Sequence, residues 1–363
     1  GEDRRWHEPG RKYFNWLARH DKHFVNKRTV ANLGVVLGQR NNLFHASGPE
    51  AASSQYMDGL YYALLEGRFL FDFVHEDDLG PQTLKKYSAL ILPNVAMLSD
   101  EQCRQLRAYV DSGGSLLATF ETSMYDEQNQ RRADFGLADV FGIHRAGDVQ
   151  GPNGNAYYAR IEREHEILKG FTNTNWIPGA EYRLPIRAEG SPVLTVVPPY
   201  PSYPPELSYA PVPKTDEPAV AIREKGRSRL IYFPGDVERT LWRSGHVDLS
   251  HLLQNSVRWL LRGESPVTVE GEGVIESFAW ETEPGFAVHL LNYTNPNMHK
   301  GWLRQHYPIG EQKVRMKLPP GRKVSRVEML RAETSVRFRQ TGDTVEFTIP
   351  RVVDYEVAAL YSS

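Results

Sequence analysis

The sequence predicts an α/β unit, a mostly parallel sheet with helices on both faces, followed by an all-β sandwich. Three observations predict it. Residues 87–119 read as a buried strand, a capped helix and a second buried strand. Apolar strands and amphipathic helices alternate on the N-terminal side of that stretch. From about residue 267 the period changes to short strands only, about seven of them, which is the pattern of a sandwich.

The elements follow in order. Tyr13, Phe14, Leu17 and Phe24 recur at roughly helical spacing, so one amphipathic helix is expected over 11–28. Asn32–Gly38 is the first strand, Ser53–Leu65 the helix after it, and Arg68–Val74 the second strand with the polar tail His75-Glu76-Asp77-Asp78. Ala89–Leu92 is a four-residue apolar run stopped by Pro93, as for a strand covered on both faces. Ser99 is a helix N-cap, with Asp100 and Glu101 placed to favour the helix dipole. Leu106, Tyr109 and Val110 form that helix's apolar face, and Gly113-Gly114 ends it before the strand Ser115–Thr119. Residues 136–142 read as a short helix, and the segment to about 215 holds short strands with many prolines. Its run PPYPSYPP is an extended connection exposing Tyr200 and Tyr203. Strands at 219–223 and 228–233 flank the turn Glu224-Lys225-Gly226, and a closing helix at 249–261 is stopped by Gly263 and Pro266.

Composition excludes several classes. The chain has 363 residues, 40% hydrophobic and 24% charged, which suits two or three globular units. Lysine and arginine (43) nearly balance aspartate and glutamate (45), so nothing favours nucleic acid or an anionic membrane as partner. No apolar run approaches the roughly 20 residues of a membrane span. The single Cys103 excludes an internal disulfide, leaving the compartment open. The chain opens at Gly1 in a polar stretch, and a piece of a longer polypeptide is expected. Expected domains are 1–30, a helix and linker from an upstream domain; 31–265, the α/β domain; and 266–363, the β-sandwich.

The segments LILPN, LSDEQ and LRAYVDSGGSLLAT resemble the middle domain of glycoside hydrolase family 42, the β-galactosidase trimerisation domain. DGLYYALLEGRFLFDFVHEDDL, YDEQNQRRADFGLADVFGI, HEILKGF, YFPGDVE, NSVRWLL and VHLLNY are similar to that family in the same order. The resemblance implies a flavodoxin-like or class I glutamine-amidotransferase-like fold, a homotrimer with self as partner, and a role in framing the sugar site of an upstream TIM barrel in the same polypeptide. That family's two catalytic glutamates stand on the barrel. This chain has no eight-fold β/α repeat, so no catalytic residue is carried over.

Two clusters remain as candidates for a ligand site or an interface. Glu121 and Ser123 follow the strand 115–119, at the carboxyl ends of the sheet where ligands collect. Ser123 lacks a G-x-S-x-G setting, and Cys103 lies inside a helix rather than on a sharp strand-to-helix turn. Asp236, Glu238, Arg239, Trp242, Arg243 and His246 could hold a sugar, an indole face stacking on a pyranose; the plainer reading is a turn and a solvated loop or subunit contact. Trp302, with His306 and Tyr307, lies in a long loop of the β region. His20/His23 and His246/His251 lack the spacing of a helical zinc site, and Gly113-Gly114 follows a helix instead of opening one, so neither a metal nor a cofactor is expected. The leading expectation is an accessory, non-catalytic, oligomerising region of a glycoside-hydrolase-like protein. A carbohydrate-binding module, and a divergent hydrolase built on Glu121, Ser123 and His246, stand as alternatives.

Overall fold

The computed structural model describes residues 3–45, 54–154, 157–295 and 305–362. The chain divides into two units: Asn32–Gly67 with Phe71–Glu264, and Gly1–Ala31 with Arg68–Leu70 and Ser265–Ser363.

The first unit is built on a six-stranded sheet: β1 (Leu33–Leu37), β2 (Asp72–His75), β3 (Ala89–Leu92), β4 (Ser115–Thr119), β5 (Ala221–Lys225) and β6 (Ser228–Phe233). Their spatial order is β5-β6-β4-β3-β1-β2. All neighbours are parallel except β5, which pairs antiparallel with β6. Every residue of β3 and β4 is buried, because helices cover both faces of a parallel sheet. Four helices serve that purpose: α1 (Ser54–Glu66), α2 (Asp100–Asp111), α3 (Val237–Ser244) and α4 (Val247–Leu260). Leu106 and Val110 of α2 pack with Leu90, Leu92, Leu116 and Ala118, alternate residues of β3 and β4. The opposite pleat, with Ile91 and Leu117, is equally buried, and α4 lies against β4 and β6. Ser99 caps α2 reciprocally: its Oγ accepts the Gln102 N–H, and Gln102 Oε1 accepts the Ser99 N–H.

Helices α1 and α3 touch closely at Gly59, where a Cβ would stand 1.9 Å from the Glu238 carbonyl oxygen. Glycine is required by that approach. Irregular structure between β4 and β5 includes a three-stranded antiparallel sheet, Leu194–Val197, Tyr158–Ile161 and Trp176–Pro178. In the proline-rich connection Tyr203 is exposed, whereas Tyr200 is half-buried.

Two expectations are corrected here. The second strand is shorter than 68–74, beginning only at Asp72, and its acidic tail forms a 3₁₀ turn, Glu76–Asp78. Residues 237–244 are not a solvated loop: they form α3, with Asp236, Glu238, Arg239 and Thr240 buried and only the end from Arg243 to His246 exposed.

The second unit is a sandwich of two antiparallel sheets. One runs Arg28–Thr29, Ile275–Glu281, Gly285–Asn292, Tyr355–Ser362, Val324–Met329, Thr334–Val336; the other Val267–Glu270, Gln312–Lys317, Thr344–Ile349, Phe338–Thr341. Strict alternation in Gln312–Lys317 turns Val314 and Met316 inward, against Val288, Leu290 and Leu360 in the same core. The N-terminal helix covers His7–His20, starting earlier and ending sooner than 11–28. Its anchor is Trp16, absent from the predicted apolar set. The indole packs with Ala287, Val357 and Ala359 and donates from Nε1 to the Leu330 carbonyl at 2.9 Å, while Phe14 and Leu17 stay exposed.

Candidate functional site

Beyond β4 the chain makes a sharp, buried turn. Phe120 (φ 49°) and Ser123 (φ 67°) both adopt left-handed backbone, which costs a side-chain-bearing residue energy and persists only where the surroundings enforce it. The enforcing contacts are visible. Asn94 Oδ1 accepts the Glu121 N–H at 3.1 Å, the Asn94 N–H donates to Thr119 Oγ1 at 2.9 Å, and Thr122 Oγ1 donates to the Leu92 carbonyl at 3.1 Å. Tyr232 donates its hydroxyl hydrogen to the Phe120 carbonyl. The residue on the sharp turn is therefore a buried phenyl ring. Ser123 Oγ accepts the Leu137 N–H at 3.1 Å and serves the neighbouring backbone.

Glu121 turns inward to a partner the sequence did not signal. Its Oε2 lies 3.3 Å from His45 Nε2, and its Oε1 accepts the Tyr125 hydroxyl at 3.3 Å. His45 Nδ1 stands 2.8 Å from Asn129 Oδ1, and Asn129 Nδ2 donates to the Phe44 carbonyl, which fixes the amide orientation. Both imidazole nitrogens thus face acceptors, as suits an imidazolium. Burial would lower the His45 pKa, but the hydrogen bonds to Glu121 and Asn129 and the Glu121 charge outweigh it and hold it above the ordinary value. The result is a buried, hydrogen-bonded ion pair with the Tyr125 ring 4.3 Å from the imidazole.

The second predicted cluster separates into a buried part and an outer part. Asp236 Oδ1 accepts the Tyr182 N–H at 2.8 Å and the Thr240 hydroxyl at 2.9 Å; Oδ2 accepts from Arg239 at 2.9 Å. Arg239 also donates to Glu181 at 2.8 Å and lies over the Tyr182 ring. Burial pushes Asp236 up to about 7, against the pull of those donors. Glu238 is fully buried, with only loose contacts from the Thr119 hydroxyl and its own backbone N–H to favour its charged form. Burial pushes it up to about 8, and the Asp236 charge adds to the rise. Trp242, by contrast, is half-buried with its ring tilted against Tyr62 at 5.4 Å, and His246 is an exposed residue preceding α4. The histidine beside Glu121 is His45, not His246. Trp302 lies outside the described residues.

A small, largely apolar pocket of about 40 Å³, partly open to solvent, lies beside the carboxyl end of β6, with Tyr158, Leu194, Val196 and Pro234 in its wall. Cys103 is buried in α2, and burial pushes its thiol up to about 11, far from a reactive thiolate. Among the described residues no three His, Cys, Asp or Glu side chains could together hold a metal ion, and no helix is long and apolar enough to cross a membrane.

This parallel sheet with its cross-braced carboxyl turns has a match among known families. Residues 34–147 match the family described as the beta-galactosidase trimerisation domain. The trimerisation-domain segment runs from β1 through β4 and the turn bearing Glu121 and Ser123, and stops before β5, β6, α3 and α4. No curated protein sequence matches the chain. Among solved structures, alpha-L-fucosidase isoenzyme 2 from Paenibacillus thiaminolyticus is 19% identical with a TM-score of 0.71, over 96% of this chain and 51% of that one. A catalytic mutant of Gan42B, a GH42 beta-galactosidase from G. stearothermophilus, is 15% identical with a TM-score of 0.62, over 93% and 41%. The beta-galactosidase from Bacillus circulans sp. alkalophilus gives 15% and 0.62, over 91% and 41%. At such identities the likeness is one of fold. It extends through both units, and the chain spans about two-fifths to one-half of the length of these structures.

Proposed function

We propose that this chain is an accessory, non-catalytic region of a glycoside-hydrolase-like protein, which self-associates through its α/β unit and frames a sugar site on a companion catalytic domain. The observation that carries this reading is the match of residues 34–147 to the trimerisation family. Two features support it. The sharp turn at the carboxyl end of β4 presents the buried ring of Phe120, and the polar groups flanking it are consumed in holding the fold. The central strands of the parallel sheet are buried on both faces, which suits a platform that holds neighbouring sites in register.

The test is the solution mass of the chain by sedimentation velocity over a wide concentration range. A trimer supports the reading. A monomer at every concentration overturns self-association by this region. Hydrolysis of nitrophenyl galactosides or fucosides by the purified chain, abolished in Glu121→Gln, would overturn its non-catalytic status.

A further inference from the structure

The six-stranded sheet of the sandwich has its outer face covered by residues 7–24, the helix His7–His20, the 3₁₀ turn Asp21–His23 and Phe24. Trp16 and Phe24 pack there with Ala287, Leu330, Val357 and Ala359. The sandwich core lies on the other side of the same strands. Val288, Leu290, Ala358 and Leu360 alternate with the covered residues and pack with Val314 and Met316 of the four-stranded sheet. After Phe24 the chain is tied down separately: the Lys27 N–H donates to the Glu281 carbonyl at 2.8 Å, the Val30 N–H to the Ala279 carbonyl at 3.0 Å, and Arg28–Thr29 pairs with Trp280 and Glu281. The segment can therefore leave the sheet about a hinge at 25–27 without opening the core.

Two buried histidines meet at this contact. His23 ends the covering segment and is 1% exposed; His289 stands on the strand Gly285–Asn292 and is 7% exposed. Each sets one ring nitrogen against a tyrosine hydroxyl, His23 Nε2 at 3.0 Å from Tyr361 and His289 Nδ1 at 2.5 Å from Tyr355. The other nitrogens, His23 Nδ1 and His289 Nε2, have no hydrogen-bond partner among the described residues. An imidazolium carries a proton on both nitrogens, so charging either ring would leave a buried, charged N–H without an acceptor. The docked segment itself creates this environment, because His23 belongs to it and its Phe24 ring lies 5.6 Å from that of His289.

The neighbouring charges do not compensate. Lys22, His20 and Arg326 oppose a proton on His23; Glu328 favours one, but it is engaged with Arg326 at 3.3 Å. His289 is opposed by His23, so each ring resists the charging of the other. On the adjoining strand Phe278 stands opposite His289, with Glu276 two residues away. Glu356 accepts the Arg331 and Ala332 N–H groups, Arg331 pairs with Asp354, Arg19 pairs with Glu333, and Asp21 is exposed. Burial is the largest influence on both rings, and holds each down to about 4.

We propose that His23 and His289 form an acid-operated latch: protonation of the pair releases residues 7–24 from the sheet and bares the apolar face of Ala287, Leu330, Val357 and Ala359 while the sandwich core stays closed. The device is separate from self-association through the α/β unit.

Both rings return to the ordinary value of 6.5 when released, so the docked state is fully favoured above pH 6.5 and loses ground as pH falls toward 4. The loss from pH 7 to pH 4 is about 10²-fold for each ring and about 10⁴-fold for the pair. Hydrogen exchange of the whole chain read by mass spectrometry, corrected for intrinsic rates, tests this. At pH 7 residues 7–20 should be protected; at pH 4 they should exchange freely while the strand Gln312–Lys317 remains protected. His23→Gln with His289→Gln should hold the segment equally at both pH values, and each single variant should recover about 10²-fold of the loss. Should the variants fail to dock at pH 7, NMR titration of the two imidazoles in the parent decides, with midpoints near pH 4 expected. Retained protection of residues 7–20 at pH 4, simultaneous opening of Gln312–Lys317, an undiminished acid response in a variant docked at pH 7, or imidazole midpoints above pH 6 would each overturn the proposal.

Discussion

Glu238 makes the stability of the α/β unit depend on pH in a direction opposite to ordinary acid denaturation. Its carboxyl is fully buried, and burial outweighs the hydrogen bonds from its own backbone and from Thr119 that favour the charged form, so its pKa rises from 4.5 in the open chain to about 8. A group that holds its proton more tightly when folded contributes full stability below its unfolded pKa, and that contribution declines as pH rises through the folded pKa. The shift from 4.5 to about 8 sets a ceiling on the order of 5 kcal/mol for the whole loss, of which about 3.5 kcal/mol falls between pH 5 and pH 8. Glu238→Gln removes the titration at nearly constant shape. The variant should match the parent below about pH 4, lead it by only about 1 kcal/mol at pH 5, and exceed it by about 4 kcal/mol near pH 8. Cys103, the only cysteine and buried in α2, supplies a probe specific to this unit, because the rate at which it reacts with a disulfide reagent reports opening of the α/β core. The intrinsic pH dependence of the thiol cancels when parent and variant are compared at each pH. Parallel curves for the two proteins from pH 5 to pH 9 would refute the reasoning, since Glu238 would then not change charge in that window.

Three other expectations follow from single contacts. Gly59→Ala drives a Cβ into the Glu238 carbonyl and should cost about 3 kcal/mol or more in urea denaturation of the α/β unit, whereas Gly10→Ala, where a Cβ meets only the Trp6 ring at 3.4 Å, should be neutral or stabilising. In the sandwich, burial holds His289 down to about 4, so this residue's contribution is present above pH 6.5 and is lost as pH falls toward 4, to the extent of about 3 kcal/mol. His289→Gln should flatten that acid limb in hydrogen exchange of the strand Gly285–Asn292 and leave the limb above pH 7 unchanged. Glu121→Gln removes the charge and one hydrogen bond that raise the His45 pKa, so an NMR titration of His45 should show it moving downward; an unmoved midpoint would mean that the ion pair does not form in solution.

The parts of the fold legible in the sequence are those with local causes. The apolar run Ala89–Leu92 bounded by proline, the Ser99 cap with its glutamine three residues on, and the glycines that end α2 each specify their own conformation within a few residues, and the strands and helix stand where that chemistry puts them. The ordered motifs were enough to identify the trimerisation-type segment, because a succession of strand, cap and turn signals persists after most individual residues have changed. Trp16 was passed over because a helix carries several apolar faces in its sequence, and only the surface it meets selects one. The same reason hid α3. Its run of charged residues reads as solvated until Gly59 and the sheet close over it. His45 and Glu121 are separated by 76 positions, and Arg40 and Glu76 by 36, distances over which side-chain type alone specifies no pairing. Sequence by itself thus determined the α/β-then-β order and the family segment, since periodicity and capping act along the chain. Which polar groups became ion pairs, which carboxyls were buried, and where a pocket opened were decided only by the tertiary structure, because burial and the electrostatics it amplifies exist only once distant segments have packed.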